Sequence, residues 1–288
     1  MDIVLAIVAA FLFALGLVLQ EKSASKLPTE AVRGGFLVRL AHEPVWLLGG
    51  LAQAGGFGAQ AAALGIGRMV VVQPLLILSI VFALPLGRLI EGRRIKRNEW
   101  IGAAMVSIGL AVLLITAKTD VGSDDASFAR WAIVGGVTGG IAVLLFLAAT
   151  GRSPSVRGAL LGTAGGILFG FAAALTKTVV SNLDEGFVAV ITDWHLYVMI
   201  VMSVVAFWLE QAALQTGALA AAVSTTMSFD ALSSLFFGIV VFDEALHESV
   251  LGYTVSGLSL GTALLGLVLI ARAKEAGTPR HAPAPAPA

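Results

Sequence analysis

Apolar residues in this chain do not alternate, and they do not recur on one face of an amphipathic helix. They run on for roughly 20 positions at a time and then stop at a short polar or glycine-containing break, the run length that crosses a hydrocarbon layer of about 30 Å as a helix. The runs are Ile3 to Leu19, Val45 to Gly65, Met69 to Leu89, Trp100 to Thr116, Trp131 to Thr150, Gly158 to about Thr178, about His195 to Thr216, Leu219 to Phe242, and Val250 to Ala271. Only Asp2 precedes the first run as a charged side chain, whereas a signal peptide needs a positive leader, so that run is expected to be a retained helix. The pattern predicts an all-α polytopic membrane protein of about nine transmembrane helices, with ten helices in a 5+5 arrangement as the alternative.

Between the runs, residues 21–43 form an amphipathic segment with Lys22, Lys26, Arg33 and Arg39, expected at the cytoplasmic surface. Residues 118–130 read as an exposed linker, and the Ala-Pro tail at the carboxyl end as disordered. The resulting division is a four-helix unit over 1–117, a linker and connecting helix over 118–156 (the helix itself 131–150), a second four-helix unit over 157–272, and a tail over 273–288.

Composition narrows the class. Of 288 residues 58% are hydrophobic and 12% charged, with mean hydropathy +0.93, about half the charge of a soluble domain. There is no Cys, which excludes disulfides and thiolate metal sites. No cofactor and no nucleic-acid partner is expected; the bilayer itself is. With nine spans and the amino end outside, fourteen of the eighteen Lys and Arg residues fall on the cytoplasmic side. Only Arg68, Lys118, Arg130 and Lys177 fall opposite. Ten acids, including Asp120, Asp124, Asp125, Asp184, Glu185 and Asp193, share that outer side, a field that concentrates cations.

The two halves resemble each other. Leu12-Phe13 and Leu19 match Leu168-Phe169 and Leu175; Ala62-Ala63-Leu64 and Gly67 match Ala212-Ala213-Leu214 and Gly217; Gly102 matches Gly252. A four-helix unit occurring twice across one connecting span is inverted on its second appearance, a recurrent plan of secondary transporters. Each unit also resembles a small multidrug resistance protein: a first helix ending in Gln20-Glu21-Lys22 or Thr176-Lys177-Thr178, then an Ala-Leu-x-x-Gly reversal at Ala63 to Gly67 and Ala213 to Gly217. The fused pair resembles the drug/metabolite transporter superfamily, in its EamA-like or its NIPA-like branch, the latter associated with magnesium transport. Gly238 to Glu244 looks like that superfamily's Gly-x-x-x-Phe-x-Glu ending. The resemblance implies a multi-pass carrier in a plasma or bacterial inner membrane. Ala14 and Phe169 stand where small multidrug resistance proteins carry a Glu, so their drug–proton exchange is not carried over.

Candidate chemistry centres on Asp230, in the middle of an apolar run, with Thr226 and Ser234 four residues to either side on the same helical face. A carboxyl at mid-membrane depth is expensive and normally faces a bundle interior or wet cavity, which marks a substrate, ion or proton site; the competing reading is a neutral packing acid. Glu210, beside Gln211, is a second intramembrane acid. Counted along straight helices from the reversal near Gly217, Asp230 lies deeper than Glu210, so a direct carboxylate pair is not expected. Gln60, the counterpart of Glu210, and Gln73 flank the Gly65 reversal and could coordinate a cation or bond across helices. Pro74 should loosen its helix. Lys177 is expected to snorkel to the interface, and the four histidines read as too scattered for a metal site.

Two glycine patterns read as packing surfaces: Gly158, Gly162, Gly166 and Gly170 at four-residue spacing in the sixth span, and Gly135 to Gly140 in the fifth. Three functions compete. A carrier for a small cationic solute, metal ion or metabolite fits acids without an equally deep base. A non-transporting helper or scaffold fits the glycine faces, which are also compatible with a homodimer. An intramembrane enzyme fits least, since an aspartyl mechanism needs two close acids.

Overall fold

The computed structural model describes residues 1–24, 43–92, 95–116, 122–123, 125–216, 218–244 and 250–275. Most of the amphipathic segment, part of the linker and nearly all of the tail lie outside these residues. The elements are α1 (Asp2–Ala24), α2 (Pro44–Ile66), α3 (Met69–Leu75), α4 (Leu78–Glu91), α5 (Arg97–Thr116), α6 (Phe128–Ala148), α7 (Pro154–Ser181), a 3₁₀ turn (Asn182–Glu185), α8 (Phe187–Thr192), α9 (Trp194–Leu214), α10 (Leu219–Phe242) and α11 (Val250–Glu275).

Every predicted apolar run lies in helix, but the third is not continuous. Pro74 has no N–H to give to the carbonyl four residues back, and the helix breaks two residues later. Leu76 N–H bonds Gln73 O at 3.1 Å, and Ile77 N–H bonds Pro74 O at 3.2 Å, a tighter three-residue spacing. Pro85 sits inside the unbroken α4. Counting α3 with α4, seven helices among the described residues are long and apolar enough to cross a membrane. Of the two remaining long helices, α2 is diluted by six glycines and two glutamines; α5 opens on Arg97-Asn98-Glu99 and is apolar from Trp100 onward. The protein is thus a helical multi-pass membrane protein.

Packing follows the small residues. α1 lies along α2 and α4; α7 lies along α9 and α10; α5 lies along α11. Gly16 and Gly49 bring α1 and α2 together, since a Cβ on either would stand 2.8–2.9 Å from the other's carbonyl oxygen. Gly102 of α5 and Gly266 of α11 meet in the same reciprocal way. In bilayer, where apolar area gives no preference for protein over lipid, this close approach is what joins helices. The four-residue glycine row of α7 does as its spacing predicts: Gly158, Gly162, Gly166 and Gly170 all face α10 or the turn before it.

The glycines of α6 do not. Gly136, Gly139 and Gly140 have no neighbour within reach of a Cβ, and Gly135 meets only the Phe171 ring. Instead α6 leans on α7 through the buried Trp131, edge-on to Phe171 at 5.7 Å. A wide aromatic ring keeps the two backbones apart, so the glycine pattern there has nothing to approach.

Candidate functional site

Straight-helix counting puts Asp230 and Glu210 at different depths; the structure puts them at one level. A Cβ on Gly166 of α7 would stand 2.9 Å from the Asp230 nitrogen, and one on the adjacent Gly165 3.4 Å from the Glu210 nitrogen. The two neighbouring glycines face different helices, α10 and α9, and draw both acids to the same turn of α7. Tilt and crossing angle, which residue counting ignores, remove the stagger. Asp230 and Glu210 are both half-buried. No hydrogen bond joins the two carboxyl groups, whereas the dyad of aspartic hydrolysis shares a proton between its acids. Among the described residues neither has a cationic partner.

Of the flanking hydroxyls, Ser234 is fully buried and donates to Asp230 Oδ1 at 3.4 Å. Thr226 is buried too, but its hydroxyl donates to Ala222 O one turn back, at 3.0 Å, and its side chain faces Gly162. Thr226 therefore contributes to the α7 contact and not as a donor to Asp230. Gln211 and Gln60 are half-buried, and no hydrogen bond joins either side chain to the acids.

Gln73 is different. It is 2% exposed, it lies in the short helix ahead of the break, and neither its amide oxygen nor its amide nitrogen has a hydrogen-bond partner.

At one end of the bundle the structure overturns the expectation for Lys177. Its ammonium does not reach an interface; it is buried against Glu244, with Nζ 2.6 Å from Oε1 and the two side chains 6% and 0% exposed. The same carboxylate accepts Met69 N–H at 3.0 Å and Val70 N–H at 2.9 Å. It thus caps the amino terminus of α3, where unpaired N–H groups and the helix dipole favour a negative charge. Lys177 Nζ also lies 4.4 Å above the Phe242 ring. One residue makes this geometry possible: Asp243 takes a left-handed conformation, φ 54°, so the chain turns back after α10 and Glu244 N–H bonds Gly238 O. Arg130 holds Asp243 Oδ2 from outside at 2.8 Å. A side chain at Gly238 would meet Val70 and the Glu244 carboxylate. Gly238 therefore gives clearance, Phe242 offers a face to the ammonium, and Glu244 supplies the cap. The spacing of the three is visible in the sequence, but their partners lie 67 and about 175 residues away.

The same end holds His195, which is buried. Its Nδ1 is 2.8 Å from Asp193 and its Nε2 3.5 Å from Asp125, and its ring stacks on Trp194 at 3.8 Å. The carboxylates sit on opposite edges of the ring, and among the described residues no His, Asp and Glu cluster has metal-binding geometry.

Fold and site together define a helical multi-pass membrane protein with two acids on one turn of α7, neither with a cationic partner among the described residues, and a buried ion pair at one end. The chain is similar to an uncharacterized protein of Corynebacterium glutamicum, 24% identical over 274 residues, which cover 94% of each chain. No protein family profile matches the chain. No solved structure matches it.

Proposed function

We propose that this protein is a secondary carrier of the drug/metabolite transporter type, moving a small cationic solute or metal ion across the cell membrane. The observation that carries the reading is the meeting of Asp230 and Glu210 at the Gly165-Gly166 turn, with no base beside them among the described residues. Intramembrane acids are costly, and a cation or proton between the carboxyls offsets that cost. Two carboxyl groups with the Ser234 hydroxyl suit an organic ammonium ion; they also suit a magnesium ion that keeps several waters.

The packing supports the two-unit plan. In the first unit α1 packs on its second and third helices, in the second unit α7 does the same, and the fourth helices α5 and α11 pack on each other. On this plan nine helices span, α2 and α5 included, and the split of Lys and Arg puts the amino terminus outside and the carboxyl terminus in the cytoplasm. The Lys177–Glu244 pair then closes the outer end by joining α3 of the first unit to α7 and α10 of the second.

Flux in proteoliposomes, screening divalent cations against organic cations and amino acids, tests the reading. Wild type should move at least one cation, and Asp230→Asn and Glu210→Gln should insert and fold yet lose that flux. A protein that moves none of them would instead be a helper packed through its glycine faces.

A further inference from the structure

Gln73 carries an inference about the class of solute, which rests on the carrier reading above. Among the described residues it is the one side chain with two buried polar atoms that both lack a partner. Such groups are rare in folded proteins because each has given up water for nothing. It sits directly before Pro74, in a seven-residue helix that ends in a three-residue-spaced turn inside the bundle. Broken helices at membrane depth are tolerated where they are enclosed by protein or line a cavity, and carriers place substrate sites at them.

Register places Gln73 about one helical turn from Asp230 along α10. Val70 stands against Gly238 of α10, and Ile77 shares an apolar cluster with Ala231. The helices run in opposite senses, so Gln73 falls between these contacts, at the level of Ser234. Ser234 donates to Asp230, which lies about one turn further along, ~5 Å.

An amide presents one acceptor atom, Oε1, and one donor atom, Nε2, with two N–H groups. A bare metal ion would engage only Oε1 and leave Nε2 buried and unpaired. We propose that Gln73 is a specificity-determining ligand for a small solute carrying both an ammonium group and a hydrogen-bonding oxygen. The ammonium is held between Asp230 and Glu210; the oxygen accepts from Gln73 Nε2, and a hydroxyl on it donates to Oε1. A site built to bond such an oxygen favours the solute that carries it over the analogue that lacks it, because only the former pairs the amide.

The test uses ethanolamine and n-propylamine, two monocations of nearly equal size of which only the first carries the oxygen, together with Mg²⁺. Binding is measured on the full chain in nanodiscs, for wild type, Gln73→Met and Asp230→Asn. Wild type should favour ethanolamine by about tenfold or more. Gln73→Met should bring the two amines within about twofold while leaving propylamine affinity unchanged. Free of solute, that variant should unfold no more readily than wild type, because methionine removes two orphaned groups. A ratio near one in wild type, a preference that survives in Gln73→Met, or a Met variant that unfolds more readily would each overturn the assignment to Gln73. The last result would mean the amide is already bonded, by a structural water for instance. Tight Mg²⁺ binding with no amine binding would overturn the solute class and leave the carrier reading standing. Binding of none of the three, or binding indifferent to Asp230→Asn, would overturn the carrier reading and this inference with it.

Discussion

Replacing Lys177 by methionine should destabilise the protein in a way that identifies the ion pair as a helix cap. The substitution keeps the volume of the apolar stem and leaves the Glu244 carboxylate, 0% exposed, without its cation. Removing one member of a buried pair costs about 3–5 kcal/mol. Two backbone N–H groups still bond Glu244 at 3.0 and 2.9 Å, so Lys177→Met belongs at the low end of that range. Glu244→Gln belongs higher. Its amide can accept from one N–H but points a donor where an acceptor is needed, and it leaves Lys177 with only the Phe242 ring. The double variant should be less destabilised than the sum of the two, with a coupling of about 2–3 kcal/mol. The exchanged pair, Lys177→Glu with Glu244→Lys, should not be rescued, because a lysine at 244 turns an ammonium toward the amino terminus of α3. Equilibrium unfolding of purified protein in mixed detergent micelles measures all four. Additive singles below about 1 kcal/mol would mean a solvated pair of the surface kind. Rescue by the exchange would mean that the cap on Met69 and Val70 is not what Glu244 is for.

Three further outcomes follow from the same geometry. Gly166→Ala should destabilise by about 1–3 kcal/mol, since the new methyl would meet the Thr226 carbonyl and the Asp230 nitrogen, and it should depress flux by moving Asp230; Gly139→Ala, with open space around it, should change unfolding by less than about 0.5 kcal/mol. Thr226→Val should leave the solute Kd within about threefold of wild type, because that hydroxyl already bonds Ala222 O; a loss tenfold or greater would return Thr226 to the site. Asp243→Ala should weaken the cap by about 1–2 kcal/mol through the strained left-handed backbone, and Asp243→Gly should not; the same micelle unfolding assay reads both.

The helices are legible in the sequence because run length and hydropathy are local. So is the packing face of α7, because four-residue glycine spacing directly defines a helix face; that α10 is the neighbour is seen only in the structure. Depth is not legible. Counting along straight helices staggers Glu210 and Asp230, and the tilt that levels them is set by Gly165 and Gly166 each admitting a different neighbour. Adjacent glycines facing two helices are the available signal. Lys177 misleads because a lysine near a span end ordinarily reaches the interface; only the turn at Asp243 brings Glu244 back to it. Gln73 is legible as a candidate beside Pro74, but that both its amide atoms lack partners is a property of the packed structure. The glycines of α6 mislead in the opposite direction, since spacing shows what can approach and not what does.

A cation held by Asp230 and Glu210 together as it crosses the membrane should show itself in counterflow: proteoliposomes are loaded with unlabelled ethanolamine or Mg²⁺, supplied outside with a trace of the same species labelled, and compared for wild type, Asp230→Asn, Glu210→Gln and the double variant. Wild type should accumulate label above equilibrium, each single variant should lose most of it, and the double variant should be no worse than the more impaired single. Label accumulation that survives in Asp230→Asn and Glu210→Gln alike would show that the acids are packing groups and that the solute crosses elsewhere.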